Sequence, residues 1–294
     1  RDLPSFPTRR SSDLTLSFDW TLDTSEDAGT AFYNDSAFVS ILATGGSVSV
    51  AAPLQLLADT SANGFTAGAG ANTIRVAVLG YGNVLPLVNK LNDDTWFDFE
   101  AVAVSGAQID TVAELAAYRV VVVGDYTSRA ELVQIAPALR VWVEDGGGVV
   151  GTGWSVFAAG SRVGNAPIVD IDAVLPVGTS VEYQFVPDGT VHIETASHPV
   201  TAHVNDFISP FVEYSSAGAD VGATVLGTTN GFPTVVVGNV SAGRGVYLGP
   251  TYSYVPGPTG LDAELLLAQA VAWAAQNGSP AGRLATQTFS HTFA

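Results

Sequence analysis

From Ile74 onward, short runs of apolar residues alternate with stretches whose apolar positions recur every three or four residues. IRVAVLG (74–80), FDFEAVAV (97–104), RVVVVGD (119–125) and the run from Val149 to Gly153 each close on glycine or a polar residue, as strands buried on both faces do. Between them the helical period predicts helices over Val84 to Leu91, Ala113 to Tyr118 and Ser128 to about Glu144. The last of these has Ser128 as its cap, a bend near Pro137 and a stop at Gly146 to Gly148. After Gly153 the pattern becomes β-rich, with strands expected at Val181 to Val186, Val191 to Glu194, Ala223 to Gly227, Pro233 to Val240 and Gly245 to Gly249. A helix from Asp262 to Gln276 closes the unit. This order predicts an α/β domain over residues 74–278, a three-layer arrangement with a mostly parallel sheet between helices.

Upstream the period is two. Leu16, Phe18 and Trp20 share one face, and Phe38, Val39, Ile41, Val48 and Val50 supply further strand-like runs around an acidic turn. The FDW and YNDSAFVSI strings resemble part of the β-sandwich modules of large bacterial exported and adhesin-like proteins, so residues 15–57 are expected to be a partial β-sandwich segment. Residues 58–73, rich in Gly, Ala, Ser and Asn, read as a linker, and residues 279–294 as a tail. The chain opens on Arg1 and contains no Met. Ser5 to Leu14, SFPTRRSSDL, resembles a translated sequencing adapter, so residues 1–14 are set aside and the chain is expected to be a fragment of a larger protein.

Composition narrows the function classes. The 294 residues are 47% hydrophobic, enough for a sizeable core, and a net charge of −17 repels phosphate backbones, which argues against nucleic acid as a partner. The absence of cysteine excludes disulfides, cysteine-ligated zinc and a thiol nucleophile. No apolar run is long enough to span a membrane. With the β-sandwich resemblance, these features lead us to expect an extracellular or cell-surface location, with carbohydrate or other surface-protein modules as partners.

VVVVGDYTS, WVEDGGGVVGTGW, HPVTAHVNDF, ATVLGTTNGFPTVVVGNVSAGRGVYLGPTYS and LLLAQAVAWAA, in this order, resemble the class I glutamine amidotransferase-like family, most nearly its trehalose-utilisation (ThuA-like) branch. The resemblance implies a flavodoxin-like fold. Active class I members carry a cysteine in the turn after the strand matching Val149 to Gly153, activated by a histidine followed two residues later by an acid. Here Gly151-Thr152-Gly153-Trp154 occupies that turn, and the histidine that ThuA-like proteins place there is missing as well. The resemblance therefore implies a domain without the family's covalent chemistry, and no catalytic residue is assigned.

Open α/β sheets bind ligands at the carboxyl ends of their parallel strands, which makes Asp125, Tyr126, Gly153, Trp154, Ser155 and Tyr252 the candidate pocket. Such an aromatic-lined cleft suits a sugar; alternatively, Trp154 and Tyr252 fill the volume that catalytic side chains have vacated. Ser155 lacks the spacing of a nucleophile elbow and reads as a helix cap. Gly80-Tyr81-Gly82 reads as a strand-to-helix turn with Asn83 as cap, not as a dinucleotide fingerprint. His192, His198 and His203, with Glu194 and Asp206, match no metal-binding spacing. Asp19, Asp23, Glu26, Asp27 and Asp35 form a cluster of hard oxygen donors that could hold a structural calcium ion, the one cofactor considered. Three readings follow: a non-catalytic structural or ligand-binding module, an enzyme acting on carbohydrate through Asp125 or Glu144, and a carbohydrate-binding module.

Overall fold

The computed structural model describes residues 42–43, 46–47, 73–80, 84–93, 96–160, 166–179, 183–253, 257–258 and 260–276. The expectations for residues 1–14, for the calcium-type aspartates, for the linker up to residue 72 and for the tail lie outside these residues. A short antiparallel pair, β1 (Leu42–Ala43) and β2 (Gly46–Ser47), belongs to a compact unit separate from the one that holds residues 70–283.

The larger unit is built on a nine-stranded sheet. Its strands in chain order are β3 (Ile74–Leu79), β4 (Phe99–Val104), β5 (Val120–Val123), β6 (Gly148–Gly151), β7 (Tyr183–Ile193), β8 (Phe207–Ser215), β9 (Thr224–Thr229), β10 (Phe232–Val240) and β11 (Gly243–Leu248). Across the sheet the order is β4-β3-β5-β6-β11-β10-β9-β7-β8, parallel from β4 to β11 and antiparallel beyond. The mostly parallel sheet expected from the sequence is thus a mixed one.

Strand alternation divides the parallel half between two cores. Val76, Val78, Val120, Val122 and Val150 face one side, where they pack with α1 (Leu85–Leu91) and α6 (Leu261–Ala274). Ala77, Leu79, Val121, Val123 and Val149 face the other, beneath α2 (Val112–Leu115), α3 (Arg129–Glu144), α4 (Ser155–Ala159) and α5 (Val169–Asp172). Each buried valine contributes about 1.5–3 kcal/mol of apolar transfer, so these uninterrupted runs fix the middle of the sheet.

The longest helix follows its sequence signals. Ser128 accepts from Glu131 N at 3.2 Å while the Glu131 carboxylate accepts from Ser128 N at 3.0 Å, a closed capping box. Leu132, Ile135, Leu139 and Val143 are buried along one stripe. Pro137 stands within the helix on its solvent side, and Val133, the residue whose carbonyl it leaves without a donor, is 54% exposed, so water can bond that carbonyl.

The β-rich half departs from expectation. The two strands expected around residues 181–194 are one strand, β7: Asp188 adopts a left-handed φ of 49°, yet the register with β8 is the same on either side of it, Pro187 to Phe211 and Gly189 to Ser209, with Asp188 opposite Pro210, which has no N–H to give the ladder. β8 was not expected at all: Pro210 and the polar Ser209, Glu213 and Ser215 break its apolar pattern. Replacing Ser128 with Ala should cost about 1 kcal/mol, measured by urea unfolding, with Ser128→Asp close to the parent protein.

Candidate functional site

The carboxyl ends of β5, β6 and β11 are joined by one side chain. Asp125, just past β5, accepts from Thr152 Oγ1 at 3.0 Å through Oδ1 and from the Ser253 amide through Oδ2, which ties the segments that follow β6 and β11 to it. Thr127 adds β3, donating from Oγ1 to Leu79 O at 2.7 Å and accepting from Gly124 N at 3.0 Å. Gly124 lies so close to Thr152 that a Cβ there would overlap its hydroxyl, so the residue before Asp125 is held to glycine by space alone.

Gly153 is buried beside this knot. Its N–H donates to Pro250 O at 2.9 Å, and a Cβ built on it would come within 2.5 Å of Thr251 Cγ2 and 2.8 Å of Gly249 O. The tight turn falls one residue later. Trp154 adopts φ 68°, ψ 1°, the left-handed region that is a clear outlier for a bulky residue, and heads α4. Its ring meets Phe157 edge-on at 5.6 Å and Phe185 of β7 at 5.8 Å, and Phe185 in turn meets Phe211 of β8 at 6.5 Å.

The six residues expected to share a pocket therefore divide. Asp125, Gly153 and Tyr252 adjoin the polar knot, while Trp154 joins the aromatic group. Tyr252 is only 1% exposed, and burial, helped by the charges of Asp125 and Glu264, raises its hydroxyl well above the usual phenol range. It is packed into the core. Tyr126 is half-buried, its backbone beside Gly80. Ser155 is not the cap expected of it: it is the first residue inside α4, fully buried, with no partner for its Oγ.

The residue that sequence reasoning missed is Glu213. β8, the last strand in the sheet order, comes back to the end of β11 through a bridge between Val212 and Pro250 and a bond from Glu213 N to Gly249 O at 2.8 Å. This places the Glu213 side chain, 1% exposed, against the start of α4. Its carboxyl accepts from Phe157 N at 2.8 Å and Val156 N at 3.1 Å, and Tyr247 donates to it at 3.3 Å. Burial outweighs these donors and lifts its pKa from 4.5 to about 8. The only trace in the sequence is a lone acid at an inward position of the Phe207, Ser209, Phe211, Ser215 alternation.

The other sequence candidates lie apart. His192 pairs with Asp206 at 2.8 Å at the exposed end of β7, where bonds from Ile193 N and His192 hold the Asp206 carboxyl below its ordinary range. Glu194 accepts from Thr228, and His203 sits in a turn with φ 61°. Among the described residues no group of three potential metal ligands forms. Glu144, proposed with Asp125 as an acid–base candidate, ends α3 and pairs with Arg140 at 2.9 Å. Ser128, at the site, begins that helix, so sixteen residues at about 1.5 Å each separate Glu144 from the rim. Gly80 adjoins Val84 as a tight turn would, while Tyr81, Gly82 and Asn83 lie outside the described residues.

No protein-family model matches the sequence, and no curated protein matches it. Solved structures do match. The chain is similar to the cytoplasmic protein STM1381 from Salmonella typhimurium LT2, with 13% identity and a TM-score of 0.54, covering 68% of this chain and 99% of that one. It is similar also to the cytoplasmic protein STM3548 from Salmonella typhimurium, at 16% identity and a TM-score of 0.53, over 68% and 98%. A putative GMP synthase component from Thermoplasma acidophilum aligns at 9% identity with a TM-score of 0.44, over 71% and 97%.

The likenesses to STM1381 and STM3548 establish a shared α/β fold. They also correct one expectation: STM1381 and STM3548 are named as cytoplasmic proteins, which points away from the extracellular or cell-surface location inferred from composition. No helix among the described residues is long and apolar enough to cross a membrane.

Glu213 predicts an inverse pH dependence of stability. Between pH 4.5 and about 8 the unfolded chain has lost the Glu213 proton while the folded chain retains it, so stability falls as pH rises through that window. The contribution is about 1.4 kcal/mol per pH unit. Urea unfolding across this range should show the slope, and Glu213→Gln should flatten it; an unchanged slope in the variant would refute the assignment.

Proposed function

We propose that this domain is a non-catalytic, flavodoxin-like member of the class I amidotransferase-like fold, nearest the ThuA-like branch, that serves as a ligand-binding module beside other modules. The observation that supports it is the packing at Gly153. The family needs a nucleophile there, faced by a histidine and an acid two residues further on. The residues two apart that face Gly153 here are Gly249 and Thr251, and a Cβ at Gly153 would meet both. The three positions carry no thiol, no base and no acid, and the space such side chains need is filled. Asp125 has both carboxylate oxygens engaged in holding strand ends together, and Glu144 lies at the far end of α3, which argues against an acid–base enzyme built on that pair.

The aromatic group favours carbohydrate as the ligand. Phe185 is 45% exposed and Trp154 half-buried, so the two rings offer a partly open apolar face at the rim, the surface on which the C–H face of a sugar stacks. Trp154 holds that position in a left-handed conformation costing roughly 1–2 kcal/mol, a strain that a binding role would account for.

Two measurements test this reading. Neither the parent protein nor Gly153→Cys should release ammonia from glutamine, and the variant should be less stable by about 1–3 kcal/mol through overpacking; turnover by either would overturn the non-catalytic assignment. In calorimetric titrations with a panel of neutral mono- and oligosaccharides, the parent should bind at least one, and Trp154→Gly should lose that binding without losing stability, because glycine suits the turn. Equal binding by both proteins, or binding by neither, would refute the aromatic platform.

A further inference from the structure

At the opposite end of β11 from the knot, the structure holds a cavity of about 150 Å³ lined by His198, Thr224, Asn239 and Trp273 together with Gly222, Val237 and Gly238. It lies where β9 begins, where β10 ends and where α6 approaches its last turn. Arg244, the partner of Asn239 in the β10–β11 ladder, is at the other end of β11 from Gly249, about 16 Å away at the strand rise of about 3.3 Å per residue. This is a different place from the aromatic rim.

The chemistry of its wall is one-sided. The guanidinium of Arg244 lies 4.6 Å over the Trp273 ring and donates to Trp273 O at 2.8 Å, which holds a positive charge beside the cavity. His198 packs against the same indole at 5.5 Å, and its Nδ1 accepts from Val200 N at 3.2 Å, which leaves the ring proton on Nε2. Burial first, then the charge of Arg244, lowers the His198 pKa, which shows that the guanidinium field reaches the wall. Thr224 and Asn239 add a hydroxyl and a carboxamide, and none of the described residues lining the cavity is acidic. In a chain with 28 acidic and 11 basic residues, a cavity edged by a cation and lined by neutral hydrogen-bond donors is a local reversal of charge.

We propose that this cavity binds a small oxyanion, a carboxylate or a phosphate, with His198, Thr224 and Asn239 donating hydrogen bonds and Arg244 supplying the compensating charge. Carboxylate and phosphate make the same demand, oxygen acceptors with delocalised negative charge, and the cavity has room for either. The proposal does not depend on the sugar-binding reading, which concerns the other rim.

The test follows the His198 ring by histidine NMR in the full chain, titrated with sodium acetate or sodium phosphate at fixed ionic strength, with sodium chloride as control. A saturable shift of the His198 resonances is expected, with a rise in its pKa, for at least one of the two oxyanions and not for chloride. A response to acetate alone assigns a carboxylate site, and one to phosphate alone a phosphate site. Arg244→Gln should abolish the response. Because that change also removes the contacts to Trp273, Asn239→Ala and Thr224→Val, both at exposed residues, provide the independent arm, each expected to weaken binding several-fold with Tm unchanged. No saturable response to either oxyanion, an equal response to chloride, or undiminished binding by both Asn239→Ala and Thr224→Val would overturn the proposal.

Discussion

Three strand ends meet at the carboxylate of Asp125. Strands β5, β6 and β11 are neighbours only because the sheet brings them together, and each ends in a segment whose polar groups must find partners away from water. Asp125 supplies two, one oxygen to the Thr152 hydroxyl and one to the Ser253 amide. A charged acceptor gives stronger bonds than a neutral one, so a single side chain sets the path of both following segments. At the same rim Thr251 lies against Gly153, Tyr252 is sunk into the core and Trp154 adopts a left-handed turn.

The same closure explains why the rim is packed. Gly153 is surrounded by Gly249, Pro250 and Thr251 closely enough that no side chain fits. The antiparallel half of the sheet completes the enclosure, since β8 comes back to bridge Pro250 and carries Glu213 beneath the first turn of α4. There the carboxyl satisfies two amides that a helix start leaves without partners. Burial keeps it protonated at neutral pH, so the helix is held by a largely neutral acid rather than by a buried charge. The cost of that arrangement is stability lost as pH rises from 4.5 to about 8.

Much of the parallel half was legible in the chain. Val120 to Val123 and Gly148 to Gly151 are buried on both faces, and a short β-branched run apolar at every position and bounded by glycine or polar residues suits a central strand. The Ser128 cap was legible for a related reason, because a capping box is a local interaction between residues three apart. The antiparallel half was less so. Asp188 and Gly189 look like a break, yet β7 runs through them with its register unshifted, paired with β8, a strand 14 residues or more further along the chain that carries no clear pattern of its own. Ser155 shows the same limit: its type suits a cap, but the turn geometry assigns that place to Trp154.

Taken alone, the sequence determined the strand-helix alternation from β3 to β6, the lack of any thiol chemistry and the glycine at position 153, since each depends on residue identity and near neighbours. Only the tertiary structure decided that Gly153 has no room for a side chain, that Glu213 is a buried acid, and that His198, Arg244 and Trp273 meet at the far end of β11. Those facts join residues tens of positions apart, and what brings them together is the order and direction of strands in the sheet, which no local pattern encodes.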